Sequence, residues 1–389
     1  MKWENRGKEF DRSEKVSIFR SCENVYIYGA GEYGKDLYEK MYLLQDMITF
    51  IDSNQHKQEM GYCERPVISP NKIDEIDLSK SIIVVAASIQ NTPIIEKQLC
   101  MRGLEKIVFS YAEFAQFWLP IFVKYRKDKI YFQDITILVT EKCTLKCKAC
   151  APMYPYLEQP RHRNYDELIE DIDSLFDSVD YVWDLIFTGG EPFLFPQFQK
   201  LIDYTLRKYK NKFHHVQIIS NGSVLPHAEF RKLLSGNKIY LSISDYTQNL
   251  QNDRLVDIIK ENIAILQRDN VCIEIPKVEH WCDFGFANNM KKNLKDEDMT
   301  LFFDNCNSSC RAFHKKHFVY CVPAMYADIV LSKKEEKQWD IDNFFIPNDR
   351  MELLEWQCGY NEKGHLEMCK YCNGYLTINK KYVPVGQQL

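Results

Sequence analysis

The chain has 389 residues, a hydrophobic fraction of 45%, a charged fraction of 27% and a formal net charge of −5. This length predicts two or three domains, since it exceeds what one core serves, and the composition excludes disordered and fibrous classes. The mildly acidic balance argues against a nucleic-acid partner, because such proteins carry a basic face.

The opening MKWENRGKEF has no apolar segment before a cleavage site, and the longest apolar run, Ile82–Ala87, is too short to cross a bilayer. No membrane partner is expected, and a cytoplasmic location follows. There, 14 cysteines point to metal ligation rather than disulfides.

Taken in order, VYIYGAGEYG reads as a strand entering a glycine-rich turn, and Lys35–Leu44 as a helix. MITFIDSN and SIIVVAAS are further strands, Thr92–Arg102 a helix, and LEKIVFS another strand. Gly29, Gly31 and Gly34 fit GxGxxG between strand and helix, with Asp52 ending the next strand. That context suits phosphate approach at a helix amino terminus, so a nucleotide or NAD(P) ligand is expected here, beside the alternative of a docking or structural role. This Rossmann-like α/β domain is assigned residues 1–124.

From residue 125 to 295 the β/α alternation continues with longer units. The strands are ITILVT, DLIFTGGEP, HVQIISNGS, KIYLSISDY and VCIEIPKV. Helices span Tyr165–Phe176, Gln197–Tyr209, Leu225–Leu234 and Arg254–Arg268. The pattern predicts an open or closed α/β barrel, with its special loops at the carboxyl ends of the strands, where such folds carry chemistry. Residues 296–389 lose periodicity and gain cysteines, as in a small metal-stapled domain.

Cys143, Cys147 and Cys150 follow the first barrel strand with the spacing C-x3-C-x2-C. Three thiolates from one loop can hold three irons of a [4Fe-4S] cluster and leave the fourth open. They can also bind zinc with a fourth ligand from elsewhere. Gly189, Gly190 and Glu191 end the second strand, Ser220 and Asn221 the third, and Ser242, Ser244 and Asp245 the fourth.

On these residues the sequence resembles the radical S-adenosylmethionine (SAM) superfamily. The resemblance implies a partial (β/α)6 TIM-like barrel in which the open iron binds SAM and the reduced cluster cleaves it to a 5′-deoxyadenosyl radical. It implies that the GGE motif takes the SAM amino group, and that Ser220, Asn221, Ser242 and Ser244 lie near SAM. The position before the third cysteine, often aromatic in the superfamily, is Ala149. It further implies an electron donor such as flavodoxin or ferredoxin.

The late cysteines resemble SPASM and twitch extensions. One auxiliary [4Fe-4S] cluster is expected on Cys310, Cys321, Cys369 and Cys372, with Cys306 the nearest substitute and Cys358 behind it; zinc is the alternative. Asp245, Tyr246 and His280, with Trp281 and Asp283, lie at or after late strand ends, where they could orient substrate or move a proton. The leading expectation is hydrogen abstraction from a polar small molecule such as a sugar or nucleotide-sugar, leading to oxidation, epimerisation or dehydration. The alternatives are maturation of a ribosomal peptide and a non-catalytic Fe-S or zinc scaffold or sensor.

Overall fold

The computed structural model describes residues 14–236, 238–286, 292–306, 311–332, 342–359, 364–376 and 378–389. Two compact units divide the described residues: one holds those from Glu14 to Gln133 together with Arg350–Cys358, the other those of Asp134–Asp349 and Gly359–Leu389. Among the described residues no helix is long and apolar enough to cross a membrane.

In the first unit, short β-branched runs form the strands β1 (Asn24–Tyr28), β2 (Ile48–Ile51), β3 (Val67–Ile68), β4 (Ser81–Val85) and β5 (Val108–Ser110). They pair in parallel in the order β3-β2-β1-β4-β5, the arrangement of doubly wound sheets, whose direction of growth reverses between β1 and β4. A central parallel strand needs both faces covered, and every residue of β4 is buried. The helices are α1 (Glu14–Ser21), α2 (Glu32–Lys40), α3 (Gln55–Met60), α4 (Thr92–Cys100) and α5 (Leu119–Lys127). Phe19 of α1 meets Phe109, Trp118 and Phe122 at ring distances of 5.6, 5.7 and 5.0 Å.

The second unit takes up β6 (Tyr131–Thr140) from Asp134 on and continues with α6 (Tyr165–Ser178), β7 (Tyr181–Gly189), α7 (Phe198–Tyr209) and β8 (Phe213–Ser220). Next come α8 (Ala228–Leu234), β9 (Ile239–Ile243), α9 (Asp253–Arg268) and β10 (Ile273–Glu274). Asn164 caps α6 by accepting from the amides of Asp166 and Glu167, and Asn252 caps α9 through Leu255. Leu168, Ile172, Leu175 and Phe176 form the buried face of α6, at helical spacing. Val216, Ile218 and Ser220 are buried on alternate positions of β8. The sheet order is β10-β9-β8-β7-β6, an open, partial barrel. Ser220 pairs with Ile243, which brings the ends of β8 and β9 level.

Past α10 (Asp296–Asp304), a hairpin of β12 (Ala312–His314) and β13 (His317–Val319) extends this sheet beyond β6, where Ala312 pairs with Thr136. Its two-residue turn, Lys315 and Lys316, has positive φ. Buried Asp171 accepts both turn amides at 2.9 and 2.8 Å and pairs with Arg163 at 2.8 Å. α11 (Val322–Ser332) and β14 (Phe344–Phe345) follow, and α12 (Arg350–Gln357) packs in the first unit, where its Trp356 lies 6.1 Å from the Phe132 ring. β11 (His280–Cys282) pairs antiparallel with β15 (Tyr382–Pro384).

Candidate active site

The loop after β6 carries Cys143, Cys147 and Cys150 along the wall of a cavity of about 500 Å³. Its shape is fixed locally by Cys147 O accepting from Cys150 N at 3.1 Å and Cys150 O accepting from Met153 N at 2.8 Å. Leu145 is its apolar anchor, buried with Leu250 and Ile259.

Gly189 and Gly190 permit this loop to sit against the end of β7. A Cβ on Gly189 would stand 2.2 Å from Thr140 O, and one on Gly190 2.2 Å from Lys142 O and 3.0 Å from the Cys143 Cβ. The amides of Gly190 and Glu191 donate to those same carbonyls, each at 2.8 Å. Both glycines line the cavity, but the close approach they allow is to the cysteine loop.

Glu191 is fully buried and is not in the cavity wall. Its carboxylate accepts from Ser220 Oγ at 3.0 Å, Asn221 N at 2.9 Å and Phe193 N at 3.1 Å. Burial raises its carboxyl to about 7 against the lowering effect of these donors. Its structural work is therefore to lock the ends of β7 and β8 together. Asn221 in turn donates through Nδ2 to Cys143 Sγ at 3.4 Å and to Thr144 Oγ1 at 3.2 Å.

Ser220, Asn221 and Ser244 line the cavity, while Ser242 is buried in the strand away from it. Asp245 is exposed and holds a turn by accepting from Thr247 N at 2.9 Å. Tyr246 and His280 line the cavity; Tyr246 packs edge-on to Trp281 at 5.1 Å, and burial raises its phenol. Asp283 lines a smaller neighbouring cavity and accepts from Gly285 N at 2.9 Å. Phe284, Tyr375 and Leu376 complete an apolar wall that no spacing in the sequence signals.

The three thiols suit an iron-sulfur cluster. Burial pushes Cys143 to about 11 and Cys150 to about 12, and raises Cys147, so an unmetallated loop holds neutral thiols and metal binding must release protons. Donors are already directed at the sulfurs: Leu145 N to Cys143 at 3.4 Å, and Gln388 Nε2 to Cys147 at 3.3 Å. Among the described residues no three His, Cys, Asp or Glu side chains converge closely enough to share one metal ion. A cluster does not require that, since each thiolate takes a separate iron.

Of the late cysteines, Cys369 and Cys372 lie at the Glu367–Tyr371 turn with two residues between them, and Cys306 is near enough to act on both electrostatically. Cys306 adds its charge to the strong burial that raises Cys369 and brings Cys372 to about 12. Lys292 lies among them, donating to Cys372 O and standing 3.7 Å from the Phe302 ring centre. Cys321 precedes α11, its amide held by Asn343 at 2.9 Å, and α11 packs on the Glu367–Tyr371 turn. Cys358 belongs to the first unit, and Cys310 lies outside the described residues.

In the first unit, Gly29 has φ +121° and its Cβ would meet Ala86 O at 2.4 Å, whereas Gly34 packs on Gly29 O and Gly31 faces open space. Both Asp52 carboxylate oxygens hold backbone amides, Ala30 N at 2.8 Å and Asn54 N at 2.9 Å. Lys57 donates to Ala30 O, and Tyr62 to Gly31 O at 3.1 Å. Asp52 thus secures the turn, a role that its place at a strand end does not by itself reveal.

Comparison with known proteins adds a family match: the model described as Radical SAM superfamily matches residues 137–269, from the second half of β6 to the end of α9. The chain is also similar to the solved structure of native anSMEcpe with bound AdoMet and Cp18Cys peptide, at 20% identity over 45% of this chain and 58% of that one, TM-score 0.33. It resembles Streptococcus suis SuiB bound to S-adenosylmethionine at 17% identity over 49% of this chain and 45% of that one, TM-score 0.31. SuiB bound to precursor peptide SuiA matches at 17% identity, 48% and 46% coverage, TM-score 0.30. The chain therefore spans only about half the length of these proteins.

Proposed function

We propose that this chain, whose residues 137–269 match the Radical SAM superfamily, is a radical SAM enzyme that modifies a peptide substrate by hydrogen abstraction. The observation that carries this reading is the wall facing the cysteine loop. Tyr246, Trp281, Phe284, Tyr375, Val278 and Leu376 give it an apolar, largely aromatic surface. Thr188, Ser220, Asn221, Ser244 and His280 line the same cavity and offer some polar partners, but aromatic and aliphatic groups outnumber them, and sugar hydroxyls buried unpaired against those groups cost free energy. An amino-acid side chain fits such a wall through its apolar area. Sequence reading favours the sugar substrate; the wall supports the peptide alternative instead.

In this reading Cys143, Cys147 and Cys150 would hold the [4Fe-4S] cluster. When bound with SAM, the cluster supplies the electron that breaks the carbon-sulfur bond and yields the abstracting radical. The chain's own residues position the partners and exclude water. Asn221 braces Cys143, and Tyr246 and Trp281 close the cavity beside Cys147. Lys142, Lys146 and Lys148 are exposed on the same loop and would favour an acidic one-electron donor such as flavodoxin or ferredoxin. Cys306, Cys369 and Cys372, with Cys310 or Cys321, would hold an auxiliary cluster. The strand order of the first unit supports a nucleotide ligand there; with both Asp52 oxygens engaged, a ribose contact by that residue is not favoured.

The test is 5′-deoxyadenosine formation by anaerobically reconstituted protein with SAM and dithionite. A pool of synthetic peptides should stimulate it and yield a product of altered mass, while UDP- and GDP-sugars should not. Stimulation and turnover by a nucleotide-sugar alone would restore the sugar reading.

A further inference from the structure

We propose that Gln388 is a positioning residue for the Cys147 ligand, and that its side-chain amide raises the reduction potential of the cluster bound there. The inference rests on the reading that Cys143, Cys147 and Cys150 hold that cluster.

Residues 382–389 run as a strap along the cysteine loop. β15 is fastened to β11, and past it Val385 O accepts from Asn249 Nδ2 at 2.9 Å. Gly386 then passes Tyr246 so closely, at φ +65°, that a Cβ there would stand 2.4 Å from the Tyr246 Cβ. Beyond this point the strap pairs with the loop itself, backbone to backbone. Lys148 N donates to Gln387 O at 2.7 Å and Leu389 N to Lys146 O at 2.9 Å, making Cys147 and Gln388 an antiparallel bridge.

The Gln388 side chain uses both ends of its amide. Oε1 accepts from Lys146 N at 2.7 Å, which fixes the amide plane, and Nε2 donates to Cys147 Sγ at 3.3 Å and to Gly386 O at 2.6 Å. Oε1 and Nε2 cannot exchange places, because an Nε2 facing Lys146 N would set donor against donor. The N–H is therefore directed at sulfur by the chain's own hydrogen bonding. Cys147 is 7% exposed, so water competes little for that sulfur. A hydrogen bond to a ligating thiolate withdraws electron density from it, and reduction adds a negative charge that the same N–H stabilises more strongly. The oxidised state gains less, so the potential rises and a modest donor can reduce the cluster.

Two variants separate this role from simple packing. Gln388→Glu keeps an acceptor for Lys146 N and nearly the same volume, but removes the donor and brings a carboxylate to the sulfur. Gln388→Met removes the donor without adding charge. Wild type and both variants are reconstituted anaerobically, iron per chain is counted, and each is titrated with Ti(III) citrate. The readout is the EPR signal that changes on adding SAM, which isolates the cluster with an open iron. Expected is unchanged iron and a lower midpoint potential in Gln388→Met. Its reduced-to-oxidised ratio at fixed poise should fall about tenfold, equivalent to about 59 mV for one electron. Gln388→Glu should fall further. Potentials matching wild type at equal iron content would overturn the inference. Absence of any SAM-responsive signal in wild type would instead overturn the cluster assignment beneath it.

Discussion

Both carboxylate oxygens of Glu191 lie 3.0 Å from the Ser220 hydroxyl, deep behind the cavity wall that the neighbouring glycines line. The motif residue with the most evident chemistry thus serves the scaffold, and the cysteine loop depends on it at one remove, through Asn221.

Replacing Glu191 by Ala should accordingly act on stability and on iron together. Asn221 N and Phe193 N would lose their acceptor in a buried setting, at about 1–3 kcal/mol for each unsatisfied group. The melting temperature should fall, and iron per chain after reconstitution should fall with it as Asn221 loosens from Cys143.

Gly190→Ala and Gly31→Ala should behave oppositely. An added methyl at Gly190 meets Lys142 O at 2.2 Å and must displace the cysteine loop, so iron content should drop severely. At Gly31 nothing lies within 4 Å, and the change should alter the melting temperature by little, on the scale of about 0.5 kcal/mol. Iron analysis and thermal melts of the two proteins check this.

These contrasts mark what was legible in the sequence. Strand ends, the triad and the glycine-rich turn are local patterns, and each lies where periodicity and spacing put it. The roles of Glu191 and Asp52 were not legible, because whether a carboxylate faces a cavity or its own backbone depends on burial. Gln388 left no sign at all, since it is 241 residues from its partner Cys147. Trp356 likewise joins the first unit from far along the chain, a return that no local pattern announces.

Trp281→Ala should separate substrate handling from SAM cleavage. It removes the ring that Tyr246 packs against, beside Cys147, while leaving all three thiols in place. Peptide-stimulated 5′-deoxyadenosine should decline at least about tenfold, the scale of about 1.4 kcal/mol of lost positioning. The slow substrate-free cleavage should stay near wild type. Parallel assays with and without the peptide pool measure both.

Acid sensitivity should trace in part to His314. Burial, with the charges of Arg163, Lys315 and His317, pushes its imidazole from 6.5 down to about 3. The folded protein keeps it neutral where the unfolded chain takes a proton. Its contribution is whole above about 6.5 and is lost as pH falls from there toward 3, by up to about 1.4 kcal/mol per unit. The loss of melting temperature between pH 7 and 5.5 should be smaller in His314→Leu than in wild type.

The most direct test of the account is 5′-deoxyadenosine release from SAM by the anaerobically reconstituted protein under dithionite, in wild type and in Cys147→Ala. Wild type should release it and the variant none, with any auxiliary iron retained. Release that survives in Cys147→Ala, or none from iron-replete wild type, would contradict the account.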